Sequence, residues 1–127
     1  MSRSRAPNRR KKAKPVTFET VCKLALALPG VEEGLSYRTP AFRVRGKLIA
    51  RLWEDGGTLV VRTDFDTREV LMRADPETFY VTDHYRSYPF LLVRLSNVHA
   101  GDLRKLLEEA WRRAAPKRLL AEYPGSR

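Results

Sequence analysis

Ala41-Phe42-Arg43-Val44-Arg45, then Gly46, then Lys47-Leu48-Ile49-Ala50-Arg51-Leu52-Trp53 is the stretch that decides the fold. It alternates apolar and basic residues on both sides of one glycine. Period-two alternation marks a strand with one face buried and the other in water. A glycine between two such runs marks a tight turn, so residues 41–45 and 47–53 form a hairpin. A third alternating run, Thr58 to Thr63, follows the turn residues Asp55-Gly56-Gly57. The three runs read as an antiparallel meander.

Helices flank this core. Upstream, Thr17 is a good N-cap, and Val16 and Val21 are spaced as a hydrophobic staple. Phe18, Val21, Cys22, Ala25 and Leu28 share one face, and Pro29-Gly30 ends the helix, giving about residues 17–28. Downstream, Asp66 and Glu69 read as a capping box with Phe65 and Val70 as its staple, predicting a short helix over 67–73 that stops before Pro76. Phe79 to Thr82 is a short strand and Phe90 to Ser96 a longer, more apolar one. The last helix spans about 101–114, with Leu103, Leu106, Leu107, Ala110 and Ala114 as its apolar stripe. Glu108–Arg112 and Glu109–Arg113 are neighbours on its solvent side. Pro116 breaks it, and residues 117–123 add one more turn. The order α-β-β-β-α-β-β-α predicts an α+β protein: one antiparallel sheet with its helices packed on a single face.

The chain has 127 residues, which suits one domain large enough to bury a core without disulfides or metals. That domain is expected over 16–123, after a disordered basic arm at 1–15 and before a frayed tail at 124–127. Cys22 is the only cysteine, which excludes an intrachain disulfide and any zinc spacing. No apolar run approaches the roughly 20 residues of a membrane span, and no signal-peptide pattern follows the basic N-terminus. The expectation is a soluble, cytoplasmic protein. Net charge is +10. Residues 1–14 hold seven cations (Arg3, Arg5, Arg9, Arg10, Lys11, Lys12, Lys14) and no acid, whereas the rest of the chain holds 18 basic and 15 acidic side chains. The arm is strongly basic and the body mildly so.

Several segments together resemble the MmcQ/YjbR family of small bacterial proteins. They are Leu26-Ala27-Leu28-Pro29-Gly30-Val31-Glu32-Glu33, Pro40 to Lys47, Leu71 to Pro76, Phe90 to Leu95, and the closing helix with Trp111 and Ala115-Pro116-Lys117-Arg118. The resemblance covers roughly residues 18–120. It implies a two-layer α+β fold similar to type III secretion chaperones, and members that are usually labelled DNA-binding. It supplies no catalytic residues. The basic arm lies outside the family pattern, and Phe90 stands where a tryptophan is common.

Strand parity places Phe42, Val44, Leu48, Ala50 and Leu52 on one side of the hairpin and Arg43, Arg45, Lys47, Ile49, Arg51 and Trp53 on the other. Between Glu33 and Glu54 the chain carries Arg38, Arg43, Arg45, Lys47 and Arg51 and no acid. Arg62 and Arg94 are expected on the same outer face. Guanidiniums with aromatic neighbours suit phosphate contact and base stacking. These residues, with Arg9, Arg10, Lys11 and Lys12 of the arm, are the candidate nucleic-acid contacts, and His84, Tyr85 and Arg86 in the loop between strands are further candidates. The competing reading is that the arginines solubilise an uncovered sheet and discourage edge pairing.

Chemistry beyond binding finds no support in the sequence. His84 and His99 are the only histidines, and Ser96 near His99 reads as a helix-start residue. No P-loop, dinucleotide glycine pattern or nucleophile elbow is present. Cys22 belongs to a buried helix face, and Glu32-Glu33 to a solvated loop. The expectation is a non-enzymatic module without metal or cofactor that contacts nucleic-acid backbone with low sequence specificity. The alternative is a protein-interaction or chaperone-like module using Ile49, Trp53 and Val60 on the exposed sheet face, or pairing two sheets into a homodimer.

Overall fold

The structure, a computed structural model, describes residues 15–123; the arm cations and the tail lie outside the described residues. Thr17 caps α1 (Phe18–Leu26) by accepting the Thr20 N–H on its side chain. The chain then forms β1 (Val31–Ser36), β2 (Thr39–Val44), β3 (Lys47–Leu52) and β4 (Thr58–Arg62). There follow α2 (Phe65–Ala74), β5 (Phe79–Tyr80), a 3-10 turn at Asp83–Tyr85, β6 (Phe90–Arg94), α3 (Ala100–Ala114) and α4 (Lys117–Leu120). All strands join one antiparallel sheet in the order β1-β2-β3-β4-β6-β5.

The helices line one face of that sheet, as the apolar stripes require. Val21 and Ala25 of α1 and Leu103, Leu107, Ala110 and Trp111 of α3 share one cluster with Phe42, Val44, Ala50, Leu59, Val61, Leu91 and Val93 of the sheet. Leu71 and Met72 bring α2 against the same cluster. Each large apolar side chain so buried contributes roughly 1.5–3 kcal/mol. Trp111 also fixes the end of α1, donating its indole N–H to the Pro29 carbonyl (2.8 Å). Gly30 follows with φ +75°, and a Cβ there would meet Leu119 Cδ1 at 2.6 Å. Only glycine fits this left-handed, crowded position.

Three sequence expectations change. Glu32-Glu33, expected in a solvated loop, lie in the strand Val31–Ser36, which pairs along its whole length with β2. This strand has no second partner among the described residues and its apolar content is low, as befits an edge strand. The α2 cap is Asp64 rather than Asp66: Asp64 Oδ1 accepts the Thr67 N–H at 2.6 Å. The expected staple does not close, since Phe65 and Val70 are both exposed.

The third change carries most consequence. Ala50 pairs with Phe42 and Leu48 with Arg43, so Ile49 is an extra residue without a partner on β2. A bulge of this kind breaks strict alternation. Ile49 and Ala50 both enter the main core, and every side chain from Ile49 back to the turn reverses direction. Ile49, expected outside, is fully buried. Leu48, expected inside, faces out. Lys47 leaves the outer face for the helical side, opposite Val44.

Candidate nucleic-acid interface

The outer face of the sheet is not bare. Val60, Leu92 and Tyr85 form a second, small buried cluster there, with Trp53, Tyr80, Val81 and Phe90 against it. Tyr85 comes from the 3-10 turn in the loop between β5 and β6, which folds back over the middle of the sheet. Arg68 holds this loop down. Its side chain, 7% exposed, reaches from α2 and donates to four carbonyls: Tyr85 (3.2 Å), Tyr88 (2.8 Å), Phe90 (3.1 Å) and Arg86 (2.9 Å). Neither this clamp nor the covering of Val60 was read from the sequence. The available signal was spacing, since Arg68 lies three residues before Leu71, which packs on the core.

Arg51 lies beneath this cover, 2% exposed. Its Nε donates to Tyr85 Oη (3.0 Å), and its other nitrogens reach Thr39 Oγ1 (2.9 Å), the Leu52 carbonyl and Glu54 Oε2 (both 3.4 Å). The Tyr37 and Trp53 rings flank its guanidinium at 4.8 and 5.1 Å. A guanidinium so enclosed cannot reach a phosphate while the loop stays in place, so Arg51 is a structural residue and leaves the candidate set. Tyr85 leaves it for the same reason. Ile49 and Val60, on which the protein-interaction alternative drew, are fully buried and Trp53 half-buried.

What remains divides into two parts around the Tyr85 cover. On one side, Arg43 and Arg62 share an outer row with Leu48 and Phe90. Arg43 donates to the Leu35 carbonyl (3.1 Å) and Arg62 Nε to the Leu48 carbonyl (2.7 Å). Arg62 also lies over the Phe90 ring at 5.1 Å. Arg94 stands on the other side, four residues further along β6 and therefore about 13 Å away. It lies over Tyr80 at 4.1 Å and donates to the Glu77 carbonyl (2.9 Å). None of the three has a carboxylate partner among the described residues. Burial pulls the pKa of Arg62 below its ordinary value, because its charge is partly desolvated without a counter-charge.

The remaining candidates sit at the tips. Tyr37 (φ 53°) and Arg38 (φ 69°) form the two-residue β1–β2 turn, and Arg45 (φ 50°) and Gly46 (φ 81°) the β2–β3 turn. Paired positive φ values suit a hairpin whose turn matches the strand twist, at a cost of order 1 kcal/mol for each residue other than glycine. Both turns hold an arginine out in water. His84 packs edge-on against Tyr85 with ring centres 4.6 Å apart, and Arg86 pairs with Asp83 (3.1 Å). Ser96 bonds Asn97 (3.4 Å) rather than His99. Among the described residues no three His, Cys, Asp or Glu side chains gather as metal ligands, and no helix is long and apolar enough to cross a membrane.

A two-layer α+β scaffold with a six-stranded antiparallel sheet and a partly covered, arginine-bearing outer face defines the class of protein. The chain belongs to the YjbR family, whose model matches residues 26–113. It is similar to the uncharacterized proteins Mb2600 of Mycobacterium bovis and Rv2570 of Mycobacterium tuberculosis, each 34% identical over 61 residues. The match covers 48% of this chain and 47% of each relative, so it spans about half their length. Among solved structures, a crystal structure of Deinococcus radiodurans protein DR2400, with family-model domain DUF419, superposes with a TM-score of 0.71. It covers 88% of this chain and 95% of that one at 20% identity. That likeness concerns the fold.

Proposed function

We propose that this protein is a non-enzymatic module that contacts nucleic-acid backbone with low sequence specificity. Arg43, Arg62 and Arg94 on the outer sheet face, Arg38 at its tip and the arm cations Arg9, Arg10, Lys11 and Lys12 make those contacts. One observation carries the reading. Three guanidiniums are laid across the outer face, each anchored to a backbone carbonyl, and none is neutralised by a carboxylate among the described residues. Anchoring removes much of the ordering cost that a free arginine meets on binding. The remaining N–H donors suit a phosphate, whose charge compensates the desolvated Arg62. Among the described residues no helix presents an uninterrupted basic face for a groove, so contacts to base edges are not expected.

The test is a salt titration with the full chain. Each phosphate neutralised adds about 0.9 to the slope of log affinity against log salt on B-DNA, and about 0.7 on single strands. Arg43, Arg62 and Arg94 changed together to Gln should weaken binding to all sequences alike and lower the slope by about two to three. A second full-length variant, with Arg9, Arg10, Lys11 and Lys12 changed to Gln, separates the arm from the face. If the arm variant loses all binding while the face variant keeps the wild-type slope, the sheet face is not the site.

A further inference from the structure

The bulge at Ile49 turns Lys47 toward the helical layer, where it meets the C-terminal end of α3. Arg45 from the β2–β3 turn, Lys47, Arg113 of α3 and Arg118 of α4 line an open cleft of about 560 Å³, with Ala114, Ala115 and Pro116 between them. Arg113 is engaged at the rim, pairing with Asp64 and with Glu109. Arg45, Lys47 and Arg118 are exposed and have no carboxylate partner among the described residues.

We infer that this cleft binds a multiply charged phosphate group, of the kind found at the 5′ end of a nucleic-acid strand or on a free nucleotide. Charge selects the ligand. Three uncompensated cations converge from the hairpin tip and from α4, and an internal phosphodiester brings one negative charge. A terminal phosphate brings close to two near neutral pH, and a diphosphate more. Shape agrees, because the cleft lies within the ~300–1,000 Å³ range of small-ligand sites, whereas the outer arginine row is a flat track. Recognition falls to the side chains, with the two arginines giving forked contacts and Lys47 a point charge. Pro116 offers no N–H. The inference extends phosphate contact to a surface separate from the outer sheet face, and its test is independent of the one above.

The probes are inorganic pyrophosphate and two short single strands identical except for a 5′-phosphate or a 5′-hydroxyl, each titrated calorimetrically into the full chain. Pyrophosphate should saturate one site, and Lys47→Gln with Arg118→Gln should weaken it about tenfold, the loss of two partly exposed charge contacts. Both side chains are exposed and unpartnered among the described residues, so the variant should keep its fold, as circular dichroism and an unchanged melting temperature will show. Tighter binding of the phosphorylated strand, lost in the variant, supports the inference with a strand end as the source. Equal affinity for both strands, with variant-sensitive pyrophosphate binding kept, supports it with a free nucleotide as the source. Pyrophosphate that does not saturate, or that binds the variant as well as the wild type, overturns it. That result leaves the backbone reading intact if the variant changed at Arg43, Arg62 and Arg94 still lowers the salt slope. Conversely, an unchanged slope with tight pyrophosphate binding removes the sheet face and keeps the cleft.

Discussion

Replacing Arg68 with Met removes the clamp on the Tyr85 loop while keeping most of the buried side-chain volume. The wild-type guanidinium donates to the carbonyls of Tyr85, Arg86, Tyr88 and Phe90, and it lies over the Phe65 ring at 4.8 Å. Four hydrogen bonds at a net ~0.5–1.5 kcal/mol each amount to about 2–6 kcal/mol. Two effects offset part of this. The guanidinium no longer has to be desolvated, and the carbonyls of residues 86 and 88, beside exposed side chains, can turn to water. A net loss of about 2–4 kcal/mol is expected. For a domain of this size that lowers the melting temperature by about 8–16 °C. Urea unfolding measures the global loss, and amide hydrogen exchange should localise the change. Protection should fall most across residues 82–90 and around Arg51, whose Nε depends on Tyr85 Oη, while amides of α1 and α3 that open only with the whole domain lose no more than the global amount. Arg68→Lys, which keeps the charge but cannot fork to four acceptors, should fall between the two. A loss under about 1 kcal/mol with unchanged exchange over 82–90 would refute the clamp, since it would leave the loop held by Tyr85 packing alone.

Arg51→Gln should cost about 2–3 kcal/mol in urea unfolding by stranding Thr39 and Tyr85, yet leave the salt slope for nucleic acid near wild type; a slope lowered by a full unit would place Arg51 among the phosphate contacts. The pKa of Asp64 is depressed chiefly by the Thr67 N–H, with the Thr67 hydroxyl and Arg113 adding to it against burial. Its contribution is therefore present above its unfolded pKa of about 4 and is lost as pH falls through the lower folded value. Asp64→Asn keeps a capping oxygen but not the charge, so the wild-type advantage in melting temperature should be flat above pH 4 and shrink below it; an advantage that grows on acidification contradicts the assignment. Burial, then Glu33 and Glu19, push the Cys22 thiol above its ordinary value. Alkylation at neutral pH should be slower than for a small free thiol, and Glu33→Gln should speed it; a faster wild-type reaction would show the thiolate to be stabilised.

The sequence by itself determined the number and kind of most elements. Alternation around Gly46, the apolar stripes at 17–28 and 101–114, and the cap at Thr17 are local signals, and local signals survive into the fold. It also determined that residues 34–53 carry five cations and no acid. Where those cations point was decided only in the tertiary structure. Period-two reasoning assumes that no residue is inserted, and Ile49 is one: it sends Lys47 to the helical side, where Arg113 and Arg118 arrive from more than 60 positions away. Burial of Arg51 depends on Tyr85, 34 residues downstream, and on Arg68, which holds the loop carrying Tyr85. β1 was hidden for a related reason. Its residues have little strand character of their own and take that form because β2 offers a complete row of partners. A side chain's type is written in the chain, but its solvent, and hence whether an arginine is a site or a strut, is set by what the rest of the chain lays over it.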